Sequence, residues 1–418
     1  MIIGKIKSKT IRDLINVLLG NAVSQGIGFT TLVIISRELG AHEYGIFSLL
    51  LAIFTFFIQL SDFGISTSYV KYTSTRLSIQ KEILTTIIFS KIVLSLFLMT
   101  ILFFTAKEIS IFFFDTENFK DSILVIAFAI VLHSIFAVIL GHYQAIQNFK
   151  IYSTLKIFHN FIKLCSVVFI TMLFTEDEYL MGYIIVYSFA VSVLTLPFLF
   201  KNRKNFKRID FRHFIEIYRL GFWIFLSSLA VMVIMRLDIM MLQKMSTSEQ
   251  VGYYSVAMNV AMILPLITTS LVNTLLPKVD KYIIENNIRE FINKILEKVK
   301  YVVLLLFVLE ALSLFIIDFL FGTQYRESIS VLQILLLAFT FGIVVNPMSL
   351  AMLTIEKAYL LTILNWIQLP LNYIGNLFLI PLFQAEGAAI STVVLRIVGG
   401  SFIIYYLLRI YNDDYKQG

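Results

Sequence analysis

Apolar residues in this chain neither alternate with polar ones nor keep to one helical face. They come in blocks, at roughly 13–36, 45–68, 83–105, 122–145, 156–175, 179–200, 217–242, 251–277, 300–321, 328–352, 358–382 and 387–408. A block of about 20 residues is what an α-helix needs to cross ~30 Å of hydrocarbon. Only helices and closed barrels satisfy their backbone groups there, and the alternating segments of barrel strands, about ten residues each, are absent. The pattern therefore predicts an all-α integral membrane protein of about twelve transmembrane helices. One stretch departs from it. Between Lys278 and Lys300, the residues Ile284, Ile288, Phe291, Ile295 and Val299 share one helical face among charged neighbours, which predicts a cytoplasmic amphipathic helix lying on the membrane. The alternative is a solvated loop with a short helix packed on the bundle.

Composition agrees. Of 418 residues, 58% are hydrophobic and 15% charged, against roughly 45–50% and about 25% in soluble domains. The basic start, Met1 to Arg12, leads into an apolar stretch too long for a signal-peptide core and without a small-residue cleavage site, so the first helix is expected to stay. Cys165 is the single cysteine, which excludes an intrachain disulfide and a Cys-based metal site. The net charge of +7 lies in the connections, without an arginine-rich tail, and so fits anionic lipid headgroups rather than nucleic acid.

The connections also give an orientation. With the N terminus in the cytoplasm, about 25 Lys and Arg fall inside, counted from Lys5 through the run Lys201 to Arg212 to Lys416. About five fall outside: Arg37, Lys107, Lys120, Lys244 and Arg326. The positive-inside rule then places both termini in the cytoplasm. The basic run near mid-chain divides an N-terminal six-helix lobe, 1–200, from a C-terminal six-helix lobe, 217–418, with a cytoplasmic linker at 201–216. A shift of 207 residues lays Arg37, Gly45 and Ser48 over Lys244, Gly252 and Ser255. An even number of spans in each half makes such repeats parallel, with a site expected between them.

The stretch ISRELGAHEYGIFSLLLAIFTFFIQLSDFGIS, with Arg37, Leu39, Gly40, Tyr44 and Gly45 at the first outer turn and Asp62 and Gly64 in the second span, resembles bacterial Wzx-type polysaccharide flippases. These belong to the multidrug/oligosaccharidyl-lipid/polysaccharide exporter group. Glu386-Gly387-Ala388-Ala389 opens the last span in a similar way. The resemblance implies two six-helix lobes, related by a parallel pseudo-repeat, around a central cavity. It implies an inner-membrane flippase carrying an undecaprenyl-diphosphate-linked oligosaccharide, an O-antigen or similar repeat unit of lipopolysaccharide or another surface glycan, to the outer leaflet. No cofactor is implied; coupling to a proton or sodium gradient is. Implied partners are membrane lipids, a polysaccharide polymerase and chain-length machinery. Gly40 and Gly45 are also explained by the turn alone, where positive φ or close approach favours glycine.

Walker A, HExxH, EF-hand and Gly-x-Ser-x-Gly patterns are missing, so the polar residues inside spans carry the argument. Four cations sit mid-span: Lys91, Lys163, Arg236 and Arg396. Each costs about 2.5–3.5 kcal/mol unless it faces protein, water or ligand. Lys163 shares a face with His159, Asn160 and Ser166, and Arg396 lies over Thr392 beside Gly399 and Gly400. The eleventh span carries Asn365, Gln368, Asn372 and Asn376 at helical spacing, and the first carries Asn21, Gln25 and Gly28. Cations suit a diphosphate and amides suit sugar hydroxyls, so Lys163, Arg396, Arg236, Lys91, Asn365, Gln368 and Asn372 are candidate substrate contacts. Glu310, with Asp62 and Asp238, is a candidate ion-coupling site, and His133 a candidate proton relay. Against this stands simple neutralisation of the cations by Asp62, Asp238, Glu310 and Asp318. Rival functions are a cation-coupled small-molecule exporter of the same fold group and an O-antigen polymerase. The interior cations argue against the exporter, and the short outer loops against the polymerase.

Reporters fused after Lys204 and after Glu178 test the orientation. The expected result is a cytoplasmic signal at Lys204 and an outer-face signal at Glu178; the reverse at either position refutes it.

Overall fold

The computed structural model describes residues 2–74, 80–202, 211–266, 268, 288–354 and 358–414, which are helical nearly throughout, with no strand among them. The helices are α1 (Ile2–Asp62), α2 (Ile65–Ser74), α3 (Gln80–Phe114), α4 (Lys120–Ala145), α5 (Phe149–Leu173), α6 (Tyr179–Phe189), α7 (Ser192–Asn202), α8 (Phe211–Met245), α9 (Ser248–Ala261), α10 (Ile288–Leu296), α11 (Val299–Leu320), α12 (Ser328–Thr354) and α13 (Ala358–Asp414). Among the described residues, eight helices are long and apolar enough to cross a membrane, or nine with the bent pair Ile215–Leu226 and Ser228–Met245. Two of the eight, Asn16–Asp62 and Tyr359–Arg409, hold 47 and 51 residues, which at 1.5 Å per residue is more than twice a bilayer core. Each is broken, at Gly40 (φ 70°) and at Gln384 (φ 51°), and so covers two expected blocks. The block 251–277 lies partly outside the described residues.

The outward faces are apolar. Phe104, Met172, Phe307, Phe315, Phe378 and Leu382 are exposed, an arrangement that lipid solvates and water does not. The chain is an all-α membrane protein, as its blocks predict.

Packing divides it into two compact units, Met1–Leu39 with Leu49–Met232, and Gly40–Ser48 with Val233–Gly418. The expected linker at 201–216 includes 203–210, outside the described residues; the units divide further on, within α8. In the first unit Ile65, Tyr69, Ile83, Ile87 and Val138 form a buried cluster. In the second, Phe291 and Ile292 of α10 are buried against Val344, Val345, Met348, Ile403 and Leu407. The described part of the amphipathic stretch, Ile288–Leu296, is therefore a short helix packed on protein, because Phe291 and Ile292 find partners there. The 278–287 portion lies outside the described residues. Glu290 and Lys294 pair at 2.5 Å.

The turn at Gly40 places Ala41 and Gly45 against α9 within the second unit. A Cβ on Gly45 would run into the Ser248 carbonyl, and one on Gly252 into the Ala41 carbonyl. The contact is reciprocal. Positions 41 and 248, like 45 and 252, are 207 residues apart, the offset that aligns the two sequences. Each segment thus meets its own counterpart, as at a two-fold axis, and the small-residue crossing lets the backbones approach. Tyr44 seals it: its hydroxyl accepts from Asn259 Nδ2 at 2.8 Å, and its ring meets Tyr325 edge-on at 6.3 Å.

Gly45→Val and Gly252→Val should each lower the melting temperature of detergent-solubilised protein, since overpacking costs about 1–3 kcal/mol or more where backbone must move. Gly26→Ala, where nothing lies within 4 Å of the new Cβ, should leave it unchanged or raise it. Equal tolerance at all three positions would contradict the crossing.

Candidate functional site

Within the first unit the polar faces of α1 and α5 are joined by hydrogen bonds. Ser153 Oγ donates to the Asn16 carbonyl at 3.1 Å, Ser24 Oγ to the Lys156 carbonyl at 3.1 Å, and Asn160 Nδ2 to the Ser24 carbonyl and hydroxyl at 2.9 and 2.7 Å. Lys156 Nζ donates to Asn21 Oδ1 at 2.6 Å. Asn21, Lys156 and Asn160 thus hold two helices together.

One turn further along α5 the pairing stops. Lys163 is 7% exposed, and its ammonium sits 4.2 Å from the centroid of the Tyr187 ring. Beside it stand His133 of α4 and His159, one turn back on α5, with ring centroids 5.7 Å apart. His133 Nε2 is 3.0 Å from the Ser188 carbonyl, and its ring meets Phe54 edge-on. Among the described residues, no carboxylate pairs with Lys163 and no partner meets the buried Nε2 of His159. A cation–π contact offsets only part of an ammonium's lost hydration.

Lys91 is arranged differently. Fully buried on α3, it pairs with Asp62 at 2.5 Å and donates to the Ser61 carbonyl at 3.3 Å, while Ser66 Oγ donates to the same Asp62 oxygen. Asp62 closes α1 just before the turn Phe63–Gly64, where both residues have positive φ and Phe63 stacks on Phe225 at 4.6 Å. Lys91 and Asp62, a candidate substrate contact and a candidate ion site, are given to each other.

In the second unit the centre is Asp238 of α8, 4% exposed. It accepts from Tyr254 Oη at 2.6 Å, Thr392 Oγ1 at 2.8 Å and Asn376 Nδ2 at 2.8 Å. Asn376 Nδ2 also reaches Asn372 Oδ1 at 3.3 Å. Two buried polar atoms are left over, Asn376 Oδ1 and Asn372 Nδ2. Asn372 is wholly buried in this cluster, so in this conformation it does not present its amide to a saccharide. Asn365 and Gln368 are half-buried, two turns and one turn before Asn372, with Gln368 against Gly399. The predicted stripe thus separates into two amides at Asp238 and two apart from it.

Arg396 follows Thr392 by one turn on α13. It is exposed by area, its guanidinium lies 4.3 Å over the Phe339 ring, and the charge of Asp238 acts on it. Arg236 is half-buried on α8 and already engaged. Glu310 is half-buried on the largely lipid-facing α11; its carbonyl accepts from Ser313 Oγ, which accepts in turn from Gln333. Asp318 binds Arg326 through Nη2 at 3.1 Å, and this hydrogen bonding and charge raise the Arg326 pKa. Sequence reasoning missed Tyr254 as a donor to Asp238 and gave His159 no role of its own.

Comparison with known proteins follows the same lines. The family model described as "Polysaccharide biosynthesis protein" matches residues 11–282. A Klebsiella pneumoniae relative, "Uncharacterized membrane protein in cps region", is 24% identical over 425 residues, covering 97% of this chain and 83% of the relative. Among solved structures, "Lipid II flippase MurJ, inward closed conformation" superposes with a TM-score of 0.80 at 15% identity, over 94% of this chain and 87% of that one. An inward-facing multidrug resistance MATE family transporter of the MOP superfamily superposes with a TM-score of 0.72 at 14% identity, over 96% and 99%. These matches agree with the resemblance carried by Arg37 to Gly45, and they establish a MurJ- and MATE-like transporter fold. A family model that matches well over half of the sequence, on a membrane-spanning helical fold, shows that the chain belongs to the polysaccharide biosynthesis protein family.

Proposed function

We propose that this protein is a flippase of the bacterial inner membrane that moves an undecaprenyl-diphosphate-linked oligosaccharide, a repeat unit of O-antigen or a similar surface polysaccharide, from the cytoplasmic to the outer leaflet by alternating access. Family membership and a fold shared with a lipid II flippase support the reading. The observation that carries it is Lys163, a buried cation in a membrane helix for which no described carboxylate supplies the counter-charge. A diphosphate would supply it. Arg396, exposed and stacked on Phe339, is the second anion contact in this reading, and the half-buried amides of Asn365 and Gln368 are the sugar contacts. Lys91, held by Asp62, is structural. The polymerase and chain-length machinery of the same pathway are the proposed protein partners.

Asp238 is the proposed ion-coupling residue, ahead of Glu310. Its carboxylate adjoins the unused acceptor Asn376 Oδ1, and oxygen ligands of this kind suit a hard cation such as sodium, as a carboxylate suits a proton. Cation coupling is common to the flippase and to the alternative, a small-molecule exporter.

Lys163→Ala and Arg396→Ala should each remove most surface glycan while protein level stays near normal, and Arg396→Lys should also fail if the planar fork is required. Normal glycan display by both alanine variants would overturn the reading. Lys91→Met should instead deplete the protein itself, because breaking a buried pair costs about 3–5 kcal/mol, and Asp62→Asn added to it should restore much of the level. Asp238→Asn should fold but lose the dependence of transport on the ion gradient in proteoliposomes. Retained dependence would remove Asp238 from that role.

A further inference from the structure

The residues around Lys163 define more than a lone cation. Four helices of the first unit contribute to one polar patch: α1 brings Phe54, α4 His133, α5 His159 and Lys163, and α6 Tyr187 with the Ser188 carbonyl. The two histidines have unequal roles. His133 has its Nε2 against a backbone carbonyl, so that nitrogen carries the proton and donates; its ring is fixed between this bond and Phe54. His159 packs against the rings of His133 and Phe136, at 5.7 and 5.0 Å, and its Nε2 is buried with no partner among the described residues. A neutral imidazole has one N–H to give. A buried polar nitrogen left without a partner costs about 1–3 kcal/mol, and this one stands one helical turn from an ammonium with no counter-charge among the described residues.

We infer that His159 and Lys163 form a two-point site for an oxyanion of the transported molecule, with His159 Nε2–H donating a hydrogen bond, Lys163 supplying the charge, and His133 acting as the positioning residue that holds the His159 ring. This rests on the flippase reading and deepens it, since it assigns a specificity contact to a residue other than the cations. The oxyanion is a phosphate oxygen of the lipid carrier or the carboxylate of an acidic sugar; both accept from an N–H and an ammonium. His159 makes the site directional, which a point charge alone does not.

The test uses the full chain in nanodiscs in an Arg396→Ala background, so that the second cation does not bind the probe. Pyrophosphate and glucuronate are titrated separately at constant ionic strength, against chloride, and affinity is read by calorimetry. Tighter binding of pyrophosphate identifies the carrier phosphate as the source, and tighter binding of glucuronate an acidic sugar. His159→Phe keeps the ring packing and removes the nitrogen; it should weaken the preferred probe about tenfold, as the loss of one charge-assisted hydrogen bond does. His159→Gln, which restores an N–H, should recover part of that loss. Wild-type protein labelled with ¹⁵N in its five histidines gives a readout that needs no variant: the ring signals of His159 and His133 should move with the bound anion. Unchanged affinity in His159→Phe, histidine signals indifferent to both probes, or no binding above chloride would each overturn the site. If binding depends on His159 while Lys163→Ala and Arg396→Ala cells both display normal glycan, the oxyanion site stands and the flippase reading falls.

Discussion

In hydrocarbon a polar side chain has no water to fall back on, and each one seated within these helices must be accounted for by what it touches. That constraint orders the interior. Where partners exist, polar groups join helices: Asn160 to Ser24, Lys156 to Asn21, Lys91 to Asp62, and Asp238 to Tyr254, Thr392 and Asn376. Where partners are missing among the described residues, as at His159 Nε2 and Asn376 Oδ1, or where a cation meets only an aromatic ring, as Lys163 meets Tyr187, the same constraint motivates the proposed ligand contacts. The distinction between glue and site is therefore made by satisfaction, not by polarity.

The architecture was legible because its cause is one-dimensional. Twenty apolar residues in a row have one stable fate in a bilayer, and Gly40 stood at a turn whose positive φ the structure shows. The site was only half legible. Lys163 and Arg396 could be picked out by charge, but charge does not say which cations are already neutralised. Asp62 and Lys91 lie on α1 and α3, and Asp238 and Thr392 are 154 residues apart; no periodicity within one helix connects them. The stripe on α13 shows the same limit: Asn365 and Asn372 look equivalent on a helical wheel, and only the cluster with Asn376 and Ser391 buries one and leaves the other half open. His159 escaped notice because a neutral ring on a polar face has no signal until its nitrogen is seen without a partner.

The crossing of Ala41 and Gly45 with Ser248 and Gly252 constrains substitution on both sides. A contact in which Gly45 meets Ser248, the counterpart of Ala41, and Gly252 meets Ala41 has the symmetry of a chain of half this length packed on a second copy of itself, with one glycine serving both sides. In the single chain the two glycines are separate positions under separate mutation, yet each lies against a backbone carbonyl of the other segment. A change at one cannot be relieved by the same change at the other, because both would add atoms to a gap that has none to spare. The two segments are thus least free to diverge at the spot where they cross.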